Sequence, residues 1–500
     1  MDFVRAITRL ATLPGTRRPI KFIIITRTMP RQSPMLSSST LVALLVAGTL
    51  FMENLDGTVI LTALPQIAQS FHVHTIDMNI GVSAYLLTLA VLIPASGWMC
   101  DRFSVRPVFT SAIVIFTLAS ILCGLCNNLT EFTLARIVQG IGGAMMVPVG
   151  RLAVLRTAPK HELLNALATI TWPGLAAPLL GPPLGGFIAT YFTWHWIFFL
   201  NIPLGAVALI AAFRLIPKEQ GHSAKPFDMV GFLLAGSACF SLIYSLEMIS
   251  RAQPEPRATA IVFVVTVGIW ALTIFHSRRH AHPLIDLRAL AIRSYSLAIW
   301  SGSVWRTALF ALPFLLPLLF QIGFGLNSFR SGLLLLAVFA GNLGMKPLTT
   351  PILRRFSFRA TLAVNGALNA VLILCCTLLS PATPIPMILA LLFASGLSRS
   401  MQLTALSALA FSDVPEPWMN GANTLFNVSW QLSSAMGIAF GALALRAATL
   451  ILPGAASAAI PLSHFRIAFL MVGVVAILPI LEALRLDPAA GDNVRQPKPQ

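Results

Sequence analysis

Apolar residues fall along this chain in long runs separated by short polar or basic breaks. Each run approaches or exceeds the roughly 20 residues that a helix needs to cross a bilayer. Taking the breaks as boundaries predicts spans near 41-63, 79-99, 107-126, 129-150, 164-190, 196-216, 228-248, 258-276, 294-319, 331-352, 360-380, 386-410, 419-445 and 466-484. Fourteen is an even number, so both ends lie on one side. The predicted class is an all-α polytopic membrane protein.

Composition agrees, because 56% of the residues are hydrophobic, only 10% are charged, and the mean hydropathy is +0.81. Such a chain is neither a soluble globular domain nor a disordered one, since both need far more charge. The six cysteines sit mostly inside apolar runs, where Cys123 and Cys126 read as packing rather than redox chemistry.

A net charge of +17 would suggest nucleic acid in a soluble protein. The positions of the charges exclude that reading. With the N-terminus in the cytoplasm, 25 of the 34 basic residues fall on inside segments and 5 on outside ones. That bias follows the positive-inside rule, and contact with anionic lipid is its ordinary consequence. The remaining four, Arg136, Arg306, Lys346 and Arg399, lie within spans. Residues 1-40 form a basic cytoplasmic extension, unless translation starts at Met29 or Met35, and 485-500 form a cytoplasmic tail.

An internal repeat divides the chain. Asp101-Arg102-Phe103-Ser104-Val105-Arg106 matches Arg354-Arg355-Phe356-Ser357-Phe358-Arg359 at four of six positions, at an offset of 253. Gln66-Ile67 and Gln321-Ile322 correspond at a nearly equal offset. A parallel repeat implies two related bundles: an N-terminal six-helix bundle over 41-216 and a C-terminal one over 294-484, with a two-helix insert and its loops over 217-293.

Three segments carry candidate gating or coupling chemistry. In Gly97-x-x-x-Asp101-Arg102-x-x-x-Arg106, the glycine permits close helix approach and the charges can pair in one conformational state only. Arg136, Gln139 and Gly140 share one face of the fourth span. A guanidinium in hydrocarbon costs roughly 3 kcal/mol or more, so Arg136 is expected to face a cavity or an acid. Gly181-Pro182-Pro183-Leu184-Gly185-Gly186 interrupts the helical ladder and permits tight packing, as a bending helix requires.

These segments resemble known signatures. The Asp101 loop resembles the loop motif of the major facilitator superfamily, Leu134 to Gly140 its proton-transfer motif, and Gly181-Pro182-x-x-Gly185-Gly186 its antiporter motif. Leu55-Asp56-Gly57-Thr58-Val59 with Ala63-Leu64-Pro65, and Trp194 to Pro203, resemble the fourteen-span drug:proton antiporters. The run Gly140 to Leu152 with Gly344-Met345-Lys346 is most similar to the MdtD branch of that family. The resemblance covers roughly residues 40 to 485. It implies the major facilitator fold, proton-coupled multidrug-type efflux, a monomer in the bacterial inner membrane, and no cofactor beyond the proton gradient. Departures are Ser104 and Val105 where Gly and a basic residue are usual, His195 for Arg, Ala177 for Gly, and Arg354 where the repeat would carry an acid.

Charges inside spans locate the chemistry further. Glu53 and Asp56 share a face of the first span. Asp56 and Arg136 both lie about four residues outward of their span centres, or about 6 Å, so they can meet. Asp56, Glu53 and Arg136 are therefore the expected proton-coupling set. Arg306, Lys346 and Arg399, with Gln139, are expected to line the substrate cavity. Their positive field favours an anionic or metal-carboxylate substrate. No nucleophile elbow, Walker lysine or metal cluster is visible, which excludes an enzyme. A proton-coupled importer of the same fold and a non-transporting membrane sensor are the alternatives.

Overall fold

A computed structural model describes residues 38–157, 163–218, 226–249, 256–280, 283–415, 418–452, 460–488 and 490. The N-terminal extension up to residue 37 and the end of the tail lie outside the described residues, and the compact unit of the molecule begins at Ser38. Every long element described is a helix. The first bundle comprises α1 (Ser38–Ser70), α2 (Asn79–Phe103), α3 (Val105–Leu125), α4 (Leu129–Thr157), α5 (Leu163–Tyr191) and α6 (Asn201–Leu215). An insert follows, α7 (Met229–Ile249) and α8 (Pro256–Arg279). The second bundle comprises α9 (Arg293–Leu318), α10 (Ser328–Gly344), α11 (Lys346–Arg355), α12 (Phe358–Cys375), α13 (Ile385–Ser412), α14 (Met419–Ile451) and α15 (Leu462–Leu484).

A helix thus stands at each of the fourteen expected places. Eleven are long and apolar enough to cross a membrane, and α10 with α11, bent by 46° at Met345, makes a twelfth. The two places outside that set are α5 and α7; the described apolar stretch of α7, Met229–Ser245, is shorter than a full span. Large apolar side chains cover the outer surface, among them Val207, Ile261, Val264, Val364 and Leu450, each more than 60% exposed. In the spanning stretch of α8 only 11% is buried. An apolar surface of that extent is stable only against lipid.

Within the first bundle α1 packs on α5, α4 and α6, while α4 lies against α2 and α3; in the second, α9 packs on α14, α13 and α15, and α10 on α13. The bundles meet along two seams, α5 with α10 and α2 with α14. The insert helices pack on each other, and α7 also touches α2 and α14, beside the second seam.

The two ends of the molecule differ. One, the basic face, carries the Asp101 and Arg354 loops; the other is the far face. Polar contacts between bundles concentrate toward the far face. Gln66 donates to Gln321 and to Ser328, Ser328 donates to Gln321 at 2.8 Å, and Gln321 donates to the Thr62 carbonyl at 2.9 Å. Gln321 sits in a single π-helical turn, Leu319–Gly323, that ends α9. Asp77 pairs with Arg446 across the second seam. The backbones of α5 and α10 touch at Gly186 against Ser328 and at Gly332 against Pro182, where any side chain would collide with backbone.

Candidate functional site

The site is built around one carboxylate. Asp56 on α1 is 2% exposed, and its partners come from two other helices, α4 and α6. Arg136 Nη1 donates to Oδ2 at 2.6 Å, while Gln139 Nε2 and Asn201 Nδ2 donate to Oδ1 at 2.9 and 3.0 Å. Three donors and no acceptor is the pattern an ionised carboxylate demands. Helical spacing explains the Arg136 and Gln139 pair: residues three apart on α4 share a face, so Gln139 Oε1 also accepts from Arg136 Nη1 at 2.6 Å. Ser120 on α3 accepts from Gln139 and Asn201 at 2.8 and 3.1 Å and so closes the network. The Arg136 guanidinium lies over the Tyr85 ring at 4.2 Å, which meets part of its charge where no hydrogen-bond acceptor reaches Nε or Nη2.

Beside this network, between the bundles, lies a cavity of about 550 Å³. Glu53, Tyr85 and Arg136 line it from the first bundle, and Lys346, Arg399 and Trp430 from the second. Glu53 is the acid that faces the cavity, with its Oε2 buried and unpartnered, whereas Asp56 stands behind it. Thr62 and Leu312 line the cavity, and the Thr62 carbonyl accepts from Gln321, so the Gln66, Gln321 and Ser328 contacts lie beside its far-face end.

The structure therefore unites Asp56 and Arg136 as their depth implies, and it redistributes the rest of the expected site. Gln139, expected in the cavity, is fully buried in the Asp56 network. Arg306, also expected there, is fully buried and absent from the lining. Its Nη2 donates to Ser303 and Ser429 at 3.1 and 2.9 Å, and its guanidinium faces the Phe426 and Trp430 rings at 5.4 and 5.8 Å. Hydroxyls and aromatic faces, not a carboxylate, take up its charge. Lys346 and Arg399 do line the cavity, and Arg399 faces the Phe310 and Phe339 rings at 5.6 and 6.0 Å. Asn201 and Ser120 are new members of the site.

Among the gating candidates, Gly181 packs on Thr58 and Gly185 on Val59 of α1, while Pro182 and Gly186 meet α10. The antiporter-like motif thus welds α5 to both neighbours at once. Gly97, expected at a close helix contact, faces open space. Arg102 is exposed, and Arg106 donates to the Phe213 carbonyl at 2.7 Å instead of to an acid. The side chain of Asp101 lies outside the described residues. Ser104, where the loop motif usually has glycine, has φ +69° and ψ 164°, a conformation that glycine alone adopts without strain.

A family model described as "Major Facilitator Superfamily" matches residues 46–438. Two relatives, each named putative multidrug resistance protein MdtD, come from Pectobacterium carotovorum and Escherichia coli. The first is 36% identical over 403 residues, 80% of this chain and 86% of the relative; the second is 36% identical over 406 residues, 80% and 85%. Among solved structures, a D-xylose-proton symporter superposes with TM-score 0.63 at 14% identity, over 91% of this chain and 98% of that one. A transporter of the POT family in complex with 5-aminolevulinic acid gives 0.64 at 15% identity, over 91% and 96%. At such identities these two establish the fold alone. The family match, the MdtD relatives and two bundles meeting around one central cavity lead to one conclusion: the chain belongs to the Major Facilitator Superfamily and is a multi-pass membrane transporter of small molecules.

Proposed function

We propose that the chain is a fourteen-span, proton-coupled exporter of the bacterial inner membrane, working as a monomer with its basic face and both termini in the cytoplasm. The observation that carries this reading is the Asp56 and Arg136 pair, at 2.6 Å and fully buried, directly behind a cavity-facing glutamate. A neutral ion pair in a low-dielectric site is stable until one partner loses its charge. A proton delivered through the cavity by Glu53 to Asp56 removes that charge and frees Arg136. The freed guanidinium then needs a new acceptor, and the bundles rock about the two seams to supply one. Release of the proton to the cytoplasm restores the pair. Polar contacts toward the far face, with the cavity on their basic side, correspond to the cytoplasm-facing stage. A membrane potential adds about 2.3 kcal/mol per charge per 100 mV to each cycle.

The substrate class follows from the opposite wall. Lys346 and Arg399 offer two cations to the cavity, and Phe310, Phe339 and Trp430 offer apolar faces. Small anions with an apolar body, metal-carboxylate chelates among them, fit that wall better than hydrophobic cations do.

Everted membrane vesicles containing the protein, energised to an acidic lumen, test both parts. Carboxyfluorescein is expected to accumulate and to leak out when a protonophore is added, with ethidium moving little. Proton-driven exit of carboxyfluorescein would make the protein an importer, and accumulation of ethidium alone would overturn the anionic reading.

A further inference from the structure

The insert helices hold a cluster that the transport chemistry does not use. Asp228, just before α7, is 7% exposed. His276 and His280 stand four residues apart at the C-terminal end of α8, with ring centroids 5.0 Å apart. The potential ligand atoms of these three residues all lie within 4.8 Å of one another.

Asp228 is held in place as a metal ligand would be. Its Oδ1 accepts the Gly231 N–H at 2.8 Å and faces His276 Nε2 at 2.8 Å, and its Oδ2 accepts the Leu284 N–H at 3.1 Å. Its backbone donors fix its direction in the manner of the outer-shell bonds around metal ligands. Arg279, which precedes His280 at the end of α8, lies over the Phe275 ring at 4.3 Å.

We propose that Asp228, His276 and His280 form a binding site for a divalent transition metal of the zinc type, with water as the fourth ligand. Two imidazoles and one carboxylate suit Zn²⁺ and Co²⁺ and are poor for Mg²⁺ or Ca²⁺, which prefer oxygen alone. Tetrahedral coordination at metal-ligand distances near 2.0–2.1 Å separates ligand atoms by roughly 3.3 Å. To admit the ion the His276 and Asp228 contact opens by about half an ångström, and the wider separations within the group, up to 4.8 Å, close toward it. A bound ion would join the start of α7, the end of α8 and, through Leu284, the segment that leads into the second bundle. The metal is then a staple for the insert, independent of the reading of the proton site.

Co²⁺ added to the full-length protein in detergent, purified without a histidine tag, reports the site through the visible absorption of the four-coordinate ion. The expected result is about one Co²⁺ per chain, displaced by Zn²⁺, with binding weakened more than tenfold in both His276→Ala and His280→Ala. His280 is exposed, so its variant is expected to elute as the parent does on size exclusion. His72 and His74 lie in the segment between α1 and α2, apart from the insert, and a His72→Ala, His74→Ala double variant is expected to bind as the parent does. Absence of the absorption from monodisperse parent protein, or binding undiminished in His280→Ala, would overturn the proposal.

Discussion

Arg136 in the first bundle is met by a carboxylate at 2.6 Å; Arg306 in the second is met by two serine hydroxyls and two aromatic rings. Both are fully buried. Arg306 is not the repeat counterpart of Arg136, which aligns with Leu389. At the offset of 253 that aligns Asp101 with Arg354, Glu53 aligns with Arg306. At both positions an acid of the first half is answered by an arginine in the second. A guanidinium paired with a carboxylate can be switched by one proton, because protonating the acid removes the attraction. One solvated by hydroxyls and ring faces has no partner to titrate and keeps a fixed positive field. On the proposed proton-coupled reading, the halves divide the work between a responsive element and a constant one.

Removing each arginine in turn separates the two environments most strongly. Arg136→Ala leaves Asp56 as an unpaired buried charge, so a loss of about 3–5 kcal/mol is expected, with abolished transport. Arg306→Met removes only hydroxyl bonds and ring contacts, for which about 1–3 kcal/mol is expected. Thermal unfolding of the two variants in detergent measures the gap, and equal shifts would erase the distinction. Next in size, Arg399→Ala is expected to lower carboxyfluorescein accumulation at least tenfold, as loss of a charge-assisted contact of about 1.5–3 kcal/mol requires, while proton binding by the first bundle persists.

A smaller effect tests the seam at the far face. Gln66→Ala with Gln321→Ala removes bonds of about 0.5–1.5 kcal/mol each. A cysteine placed at Thr62 is expected to react severalfold faster with a maleimide added from the far face. The smallest effect belongs to the Asp101 loop. Ser104→Gly relieves a backbone conformation costing of order 1–3 kcal/mol but loosens the unfolded chain, so a net gain of about 1 kcal/mol in stability is expected from the thermal midpoint.

The apolar runs give the helix positions, because a bilayer imposes length and composition so strictly that local sequence suffices. Residue depth gives the Asp56 and Arg136 contact, since both helices cross the same slab and a charge has few places to go. A polar or charged residue within a span must avoid lipid, but that does not say which way it points, and so Gln139 and Arg306 are expected at the cavity when neither lines it. Two serines, Ser303 and Ser429, 126 residues apart, hold Nη2 of Arg306 behind Trp430. Asn201 lies within the Trp194 to Pro203 segment, but its role depends on reaching a carboxylate 145 residues away. Gln66 and Gln321 are visible as marks of the repeat; that the pair touch across the bundles is a property of the packed structure. The histidines of α8 show helical spacing in the sequence, while their carboxylate comes from 48 residues earlier.

The most direct test of this division of labour is proton release from proteoliposomes during carboxyfluorescein transport, compared between the parent, a Glu53→Gln, Asp56→Asn double variant and Arg399→Ala. The double change is needed because either carboxyl could substitute for the other. The double variant is expected to bind the dye but release no protons, whereas Arg399→Ala is expected to lose dye binding and retain the proton-binding step. Undiminished proton release from the double variant would contradict this division of labour.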